Sequence, residues 1–186
     1  MANPPLTDLP GFAGKHLYYE TLMFVTARDK LFQLAALREQ QQQHLPPQPP
    51  QPEEEFNWNL LVEASALHFR NLVDFFYPSP IRHSDDVTAV NYVASWGSPA
   101  RPIDLSDAHK RANKELAHLT LKRKAGPSPD KSWDFGAMSI AMKPVIEEFL
   151  NRVDPKNVPA GTVAELRKIG GTMCVTGGPV FHSSSY

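Results

Sequence analysis

Hydrophobic residues recur at helical spacing along most of the chain, and prolines and glycines mark where each run stops. From Lys15 to Gln43 there is neither Pro nor Gly. Tyr18, Leu22, Val25, Phe32 and Ala36 fall at i, i+4, i+7, i+14 and i+18 and predict one helical face, which Phe24, Leu31 and Ala35 widen. A second helix is predicted from about Asn57 to Tyr77. Its apolar stripe is Trp58, Leu61, Phe69, Leu72 and Phe76, with Ser65 and His68 on the same side. Glu63, Arg70 and Asp74 take the opposite side, where Arg70 and Asp74 make an i,i+4 pair, and Pro78 and Pro80 end the run.

A short third helix is expected from Ser84, with Asp85 and Asp86 at its positive end and Val87, Val90 and Tyr92 as its apolar positions. The fourth spans about Leu105 to Lys122, capped by Asp104 and closed by the cations Lys122, Arg123 and Lys124. The fifth spans about Pro129 to Val153, with Ser128 as its cap. Phe135, Met138, Met142, Val145, Phe149 and Val153 repeat along it at three- and four-residue steps, and Pro144 should kink it. A last short helix is expected from Thr162, with Glu165 completing a capping box, to Gly170. Only Thr172 to Thr176 has the composition of a strand.

These elements predict an all-α fold, a bundle of four to five main helices. The expected organisation is an N-terminal arm over 1–14, one helical-bundle domain over 15–170 and a C-terminal tail over 171–186, the two arms disordered or draped. Within the domain, the stretch from Gln40 to Glu55 carries five prolines and Leu45 as its sole large apolar residue before Glu55. It cannot build a core, so 44–55 is expected to be an extended Pro/Gln-rich linker rather than a ligand for a proline-reading domain.

Composition narrows the function. The chain has 186 residues, Lys+Arg 19 against Asp+Glu 20 and a formal net charge of −1. That balance excludes a protein that coats nucleic acid by bulk charge. One cysteine, Cys174, excludes an internal disulfide and fits a reducing compartment. No segment has the roughly 20 apolar residues of a membrane helix. Met1 to Lys15 lacks the basic start and apolar run of a secretory signal, so a cytoplasmic protein with no membrane partner is expected.

Phosphate-loop, dinucleotide, nucleophile-elbow and zinc-protease motifs are all absent, and the seven histidines do not fall at ligand spacings. Neither a cofactor nor a metal is expected. His68 reads as a core histidine with one satisfied hydrogen bond, and Cys174 as a thiol with no base beside it. The chemistry concentrates in Ala108 to Arg123, AHKRANKELAHLTLKR. At 100° per residue, Arg111 and His118 lie within about 20° of each other. Glu115 lies between them and Lys122 follows, forming one polar ridge beside the apolar stripe Ala108, Ala112, Leu116 and Leu119. Arg101 to Ala125 holds seven Lys/Arg against three acids, a local positive field. A histidine there can take a proton from a ribose 2′-hydroxyl or give one to a leaving 5′-oxygen, and the arginine can stabilise the charged phosphorus centre. The competing reading is a solvated helix face laced with i,i+4 pairs.

The phrase Asn113-Lys-Glu-Leu-Ala-His118 resembles the phrase of HEPN-superfamily domains, helical bundles with an Arg and a His separated by four to six residues near a helix end. Arg111 and His118 have six residues between them. The departure is Ala112, which stands where the family has a polar residue directly after the arginine, so that Asn113 comes one place late. The stretch Glu63 to Phe76, EASALHFRNLVDFF, is similar to the acidic helix bearing Arg-Asn in bacterial proteins of this type, and the likeness extends over Asn57 to Arg123. The resemblance implies RNA as a partner, bound or cleaved without metal, in a homodimer whose Arg/His pairs meet across a cleft. It also implies a toxin–antitoxin or phage-defence setting with an antitoxin or other partner protein. On it, Arg111, Asn113 and His118 are the catalytic candidates, with Lys114, Glu115, Lys122 and Arg123 binding substrate. The alternatives are a non-catalytic helical interaction protein and a small-molecule pocket near His68 and Trp58.

Overall fold

The computed structural model describes residues 8–44, 49, 51–78, 86–97, 101–115, 132–174 and 181–182. Asp8 accepts a hydrogen bond from the Gly11 N–H at 2.8 Å and opens α1, Leu9–Phe12. Any side chain at position 11 would run into the Asp8 carboxylate, so the cap requires glycine there. A π-helical turn, Ala13–Leu17, then leads into α2, Tyr18–His44. Helix therefore begins at Leu9, inside the stretch expected as an arm. The reason is local: the aspartate cap satisfies a free N–H, and Pro10 in the first turn loses none that the helix needs.

Helix α3, Pro52–Phe76, also starts earlier than its apolar pattern indicates and takes the end of the expected linker. Pro52 occupies the first turn, Glu53, Glu54 and Glu55 face the positive end, and Gln51 and Glu54 form a capping box. Composition that reads as linker is here helix-start chemistry. Helix α4 is a single turn, Ala89–Tyr92, held by Thr88, whose N–H donates to Asn91 Oδ1 at 2.8 Å. The expected cap Ser84 lies outside the described residues, as does the chain from 116 to 131. Helix α5 runs Ile103–Glu115.

Residues Ser132–Trp133 (β1) pair antiparallel with Phe181–His182 (β2), so α6, Phe135–Arg152, begins well after the expected Pro129. Asp134 caps it by accepting the Ala137 N–H at 2.8 Å. The helix continues through Pro144, which is exposed beside the exposed Ile140, so the missing hydrogen bond falls on the solvent side. Helix α7, Ala160–Gly171, starts at Pro159 without a side-chain cap, and the Thr162–Glu165 box lies inside it. The strand expected at Thr172 is a 3-10 turn, Thr172–Cys174, closed by the Thr172 hydroxyl donating to the Ile169 carbonyl at 2.7 Å. The fold is all-α, with the two-residue ladder as its β-structure among the described residues.

Helices α2 and α3 form an antiparallel hairpin: Glu20 meets His68 and Asn71, Phe24 meets Phe69, and Arg38 meets Trp58. The buried face of α2 is centred on Leu17, Phe24 and Leu31; Val25 is buried with them, Tyr18, Leu22 and Phe32 pack at its edge, and Ala36 alone of the expected face is exposed. Every apolar position predicted for α6 is buried. Phe149 is the hub, edge-on to Phe75, Phe76, Tyr92 and Trp96 with ring centroids 5.5 to 5.8 Å away. The Trp96 indole N–H donates to the Phe76 carbonyl at 2.9 Å and so closes the end of α3. Arg28 is fully buried in α2, paired with Asp29 at 2.6 Å and donating to the Thr172 carbonyl at 3.1 Å, which ties α2 to the end of α7.

Candidate functional site

Helix α5 docks through Leu105 and Ala112, both fully buried, and through Ala108, packed against the core. That apolar stripe turns the polar residues of α5 toward α3 and the start of α6. His109 lies on the border of the stripe. Its Nε2 meets Asp74 Oδ1 at 2.7 Å and its Nδ1 lies 3.4 Å from an Arg101 terminal nitrogen. Arginine can only donate and an ionised aspartate only accept, so the neutral tautomer that serves both carries its proton on Nε2. Arg101 also donates to the Tyr77 carbonyl at 2.7 Å and lies over the Tyr77 ring. Burial pushes the Tyr77 phenol above its usual range; Arg101 draws it partly back, and Glu148 adds to the rise. Asp74 keeps its i,i+4 pair with Arg70 at 3.7 Å. One connected set, Arg70, Asp74, His109, Arg101 and the Tyr77 carbonyl, thus fastens α5 to the C-terminal end of α3.

The residues expected to carry chemistry fall partly within this region. Arg111 is half-buried and its guanidinium lies 4.1 Å from the Trp133 ring centroid. Trp133 is itself buried and stacks in parallel on Phe135, with planes 1° apart. Arg111 is therefore a planar cation held in register by an aromatic face rather than a free arm. The Asn113 amide lies 3.4 Å from His109 Nε2, one turn from the clamp. Lys114 is exposed, as is Lys110, which pairs with Asp107 at 3.2 Å. Glu115 ends α5. His118, Lys122 and Arg123 lie outside the described residues.

Of Asp74, Arg101 and His109, sequence reasoning passes over His109 and counts Arg101 only in the positive field. The helical pattern assigns Asp74 to Arg70 and the solvent side. The available signal was the position of His109, directly after Ala108 and four before Asn113, at the edge of the stripe that continues through Ala112. His68 is a core histidine as its position predicts: Nδ1 meets Glu20 at 2.7 Å, and the ring is edge-on to Tyr19. Trp58 lies about 15 Å from it along α3 and lines a groove between α2 and α3.

Among the described residues, no group of three His, Cys, Asp or Glu could hold a metal ion, and no helix is long and apolar enough to cross a membrane. No protein-family model, curated protein or solved structure matches the chain.

Proposed function

We propose that this chain is a HEPN-like RNA-binding protein of toxin or defence type, with metal-independent endoribonuclease activity centred on α5. The observation that carries the reading is the order of α5's polar side: Arg111 laid on the Trp133 indole, beside a His109–Asp74 clamp, with Lys110 and Lys114 exposed within the next turn. A guanidinium whose plane is fixed loses little entropy on meeting a phosphate, and neighbouring lysines add backbone attraction. In the cleavage step His118 takes the 2′-hydroxyl proton, the 2′-oxygen attacks phosphorus, and the bond to the 5′-oxygen breaks as that oxygen takes a proton from solvent water. Arg111 stabilises the charge on phosphorus and Asn113 orients the reacting groups. The products are a 2′,3′-cyclic phosphate and a 5′-hydroxyl. An antitoxin-type partner and a second copy belong to the same proposal.

The test is incubation of the protein with tRNA in EDTA, beside His118→Ala and Lys114→Ala. Cleavage that persists in EDTA and is lost in His118→Ala supports the enzyme. Binding that weakens in Lys114→Ala and falls steeply with salt supports the RNA interface. Equal cleavage by wild type and His118→Ala overturns the enzyme, and no RNA binding at low salt overturns the reading. The alternative, a non-catalytic helical interaction protein, is favoured by the apolar side chains exposed on the far half of the α2–α3 hairpin.

A further inference from the structure

Where α1 passes into α2, the chain faces the C-terminal half of α3 across a pocket of about 210 Å³. Its walls are apolar: Phe12 from α1, Leu17 from the π-helical turn, and Leu72 and Phe75 from α3. Glu20 of α2 and Asn71 of α3 supply its polar groups. His16 stands exposed at its edge, its ring centroid 4.6 Å from that of Phe12. His16 and Leu17 belong to the π-helical turn Ala13–Leu17, and such turns are rare in helices and frequent at functional sites.

The polar groups are set for a cation. The Glu20 side chain is only 25% exposed, and no Lys or Arg among the described residues pairs with it. His68 Nδ1 and Asn71 Nδ2 both donate to the same carboxylate oxygen, Oε2, at 2.7 and 3.0 Å. Oε1 is left without a donor among the described residues. A carboxylate only accepts, so Asn71 must turn its amide nitrogen to Glu20 and keep its own oxygen for another donor. No described residue supplies one. Two acceptor oxygens and one negative charge therefore stand against aromatic and aliphatic walls.

That combination selects a ligand class. An anion would meet the Glu20 charge. A neutral apolar molecule would strip water from Glu20 Oε1 and put no donor in its place, which is costly. A metal ion lacks ligands, since no group of three His, Cys, Asp or Glu among the described residues could hold one. An ammonium group has donors for both oxygens and is also drawn to aromatic faces. Volume sets the rest: about 150 Å³ holds one benzene ring, and drug-sized ligands need about 300 Å³ or more. We propose that this pocket binds a small arylalkylamine, with the ammonium between Glu20 Oε1 and Asn71 Oδ1 and the ring against Phe12, Leu17, Leu72 and Phe75. It shares no residue with the α5 site, so this proposal and RNA binding fail independently.

Titration calorimetry and assigned ¹H–¹⁵N spectra of the full chain, with 2-phenylethylamine as the probe, test it. Wild type is expected to bind one molecule with a Kd of roughly 1 mM or below. Shifts should concentrate at Glu20, Asn71 and Leu72. 2-Phenylethanol, which has the same shape without the charge, should bind about tenfold more weakly or worse, and 3-phenylpropionate should not bind. Glu20→Gln keeps the shape of the side chain and removes its charge, and should weaken the amine by about tenfold. The discrimination among the three probes is read on wild type alone, so it decides the matter even if Glu20→Gln fails to fold. Absence of amine binding overturns the proposal. So does equal affinity for 2-phenylethanol, undiminished binding by folded Glu20→Gln, or shifts confined to the groove at Leu37 and Trp58.

Discussion

The near and far halves of the α2–α3 hairpin are built from the same two helices with the same kind of apolar spacing, and they end in opposite environments. In the near half, Phe24 on α2 meets Phe69 on α3, and Leu31 and Leu72 are buried as they are. Helices α5, α6 and α7 close over that end. In the far half, Leu34, Leu37, Phe56 and Leu60 keep their helical spacing but stay in solvent. Periodicity fixes which side chains share a face. Burial follows from which other elements reach that face.

The difference can be broken first where it is greatest. Phe149→Ala removes the ring that Phe75, Phe76, Tyr92 and Trp96 all meet. It is expected to cost about 3–5 kcal/mol in a denaturant melt, as large-to-small changes in packed cores do. His109→Ala is smaller. It unfastens α5 from Asp74 and Arg101, but Asp74 is half in water and is readily rehydrated, so about 1 kcal/mol is expected.

Alkaline pH acts on the near half. Burial raises the Tyr92 phenol above its ordinary value, 10.0, with Asp8 adding to the rise. Tyr77 is raised for the same main reason. The unfolded chain releases these protons near pH 10 while the folded chain holds them, so the unfolded state then binds fewer protons. Stability is unaffected below that pH and falls as pH rises above it. Tyr92→Phe should flatten the fall in urea melts repeated from pH 8 to 11. It should also give up about 1 kcal/mol at neutral pH, for the bond its hydroxyl donates to the Leu9 carbonyl. Least of all, Leu37→Ala or Leu60→Ala is expected to change monomer stability by no more than about 0.5 kcal/mol. A larger loss in either variant would mean that the far half is covered within the monomer.

Much of the scaffold was legible in the sequence. The α6 stripe from Phe135 to Val153 is buried throughout, and α5 turns Ala108 and Ala112 inward as its spacing indicates. The helix starts were harder. Pro10, Pro52 and the three glutamates after it have the composition of arm and linker, yet they occupy first turns, where a missing N–H and negative charge are assets. The candidate site was legible only in part. Arg111 stood out by its spacing, but its seat on Trp133 depends on a residue 22 positions away in sequence, brought beside it by the docking of α5 on α6. The Asp74–His109 clamp spans |i−j|=35, and no periodicity within one helix records such a pairing.

By itself the sequence determined most of the helices, the apolar stripes of α3 and α6, and the run of cations from Arg101 to Lys124, because each depends on neighbours within a few turns. Only the tertiary structure decided that Arg28 is buried, that His109 closes on Asp74, and that half of a long hairpin is left with leucines in water. Those outcomes depend on which helix reaches which face, a matter of packing between segments far apart in the chain.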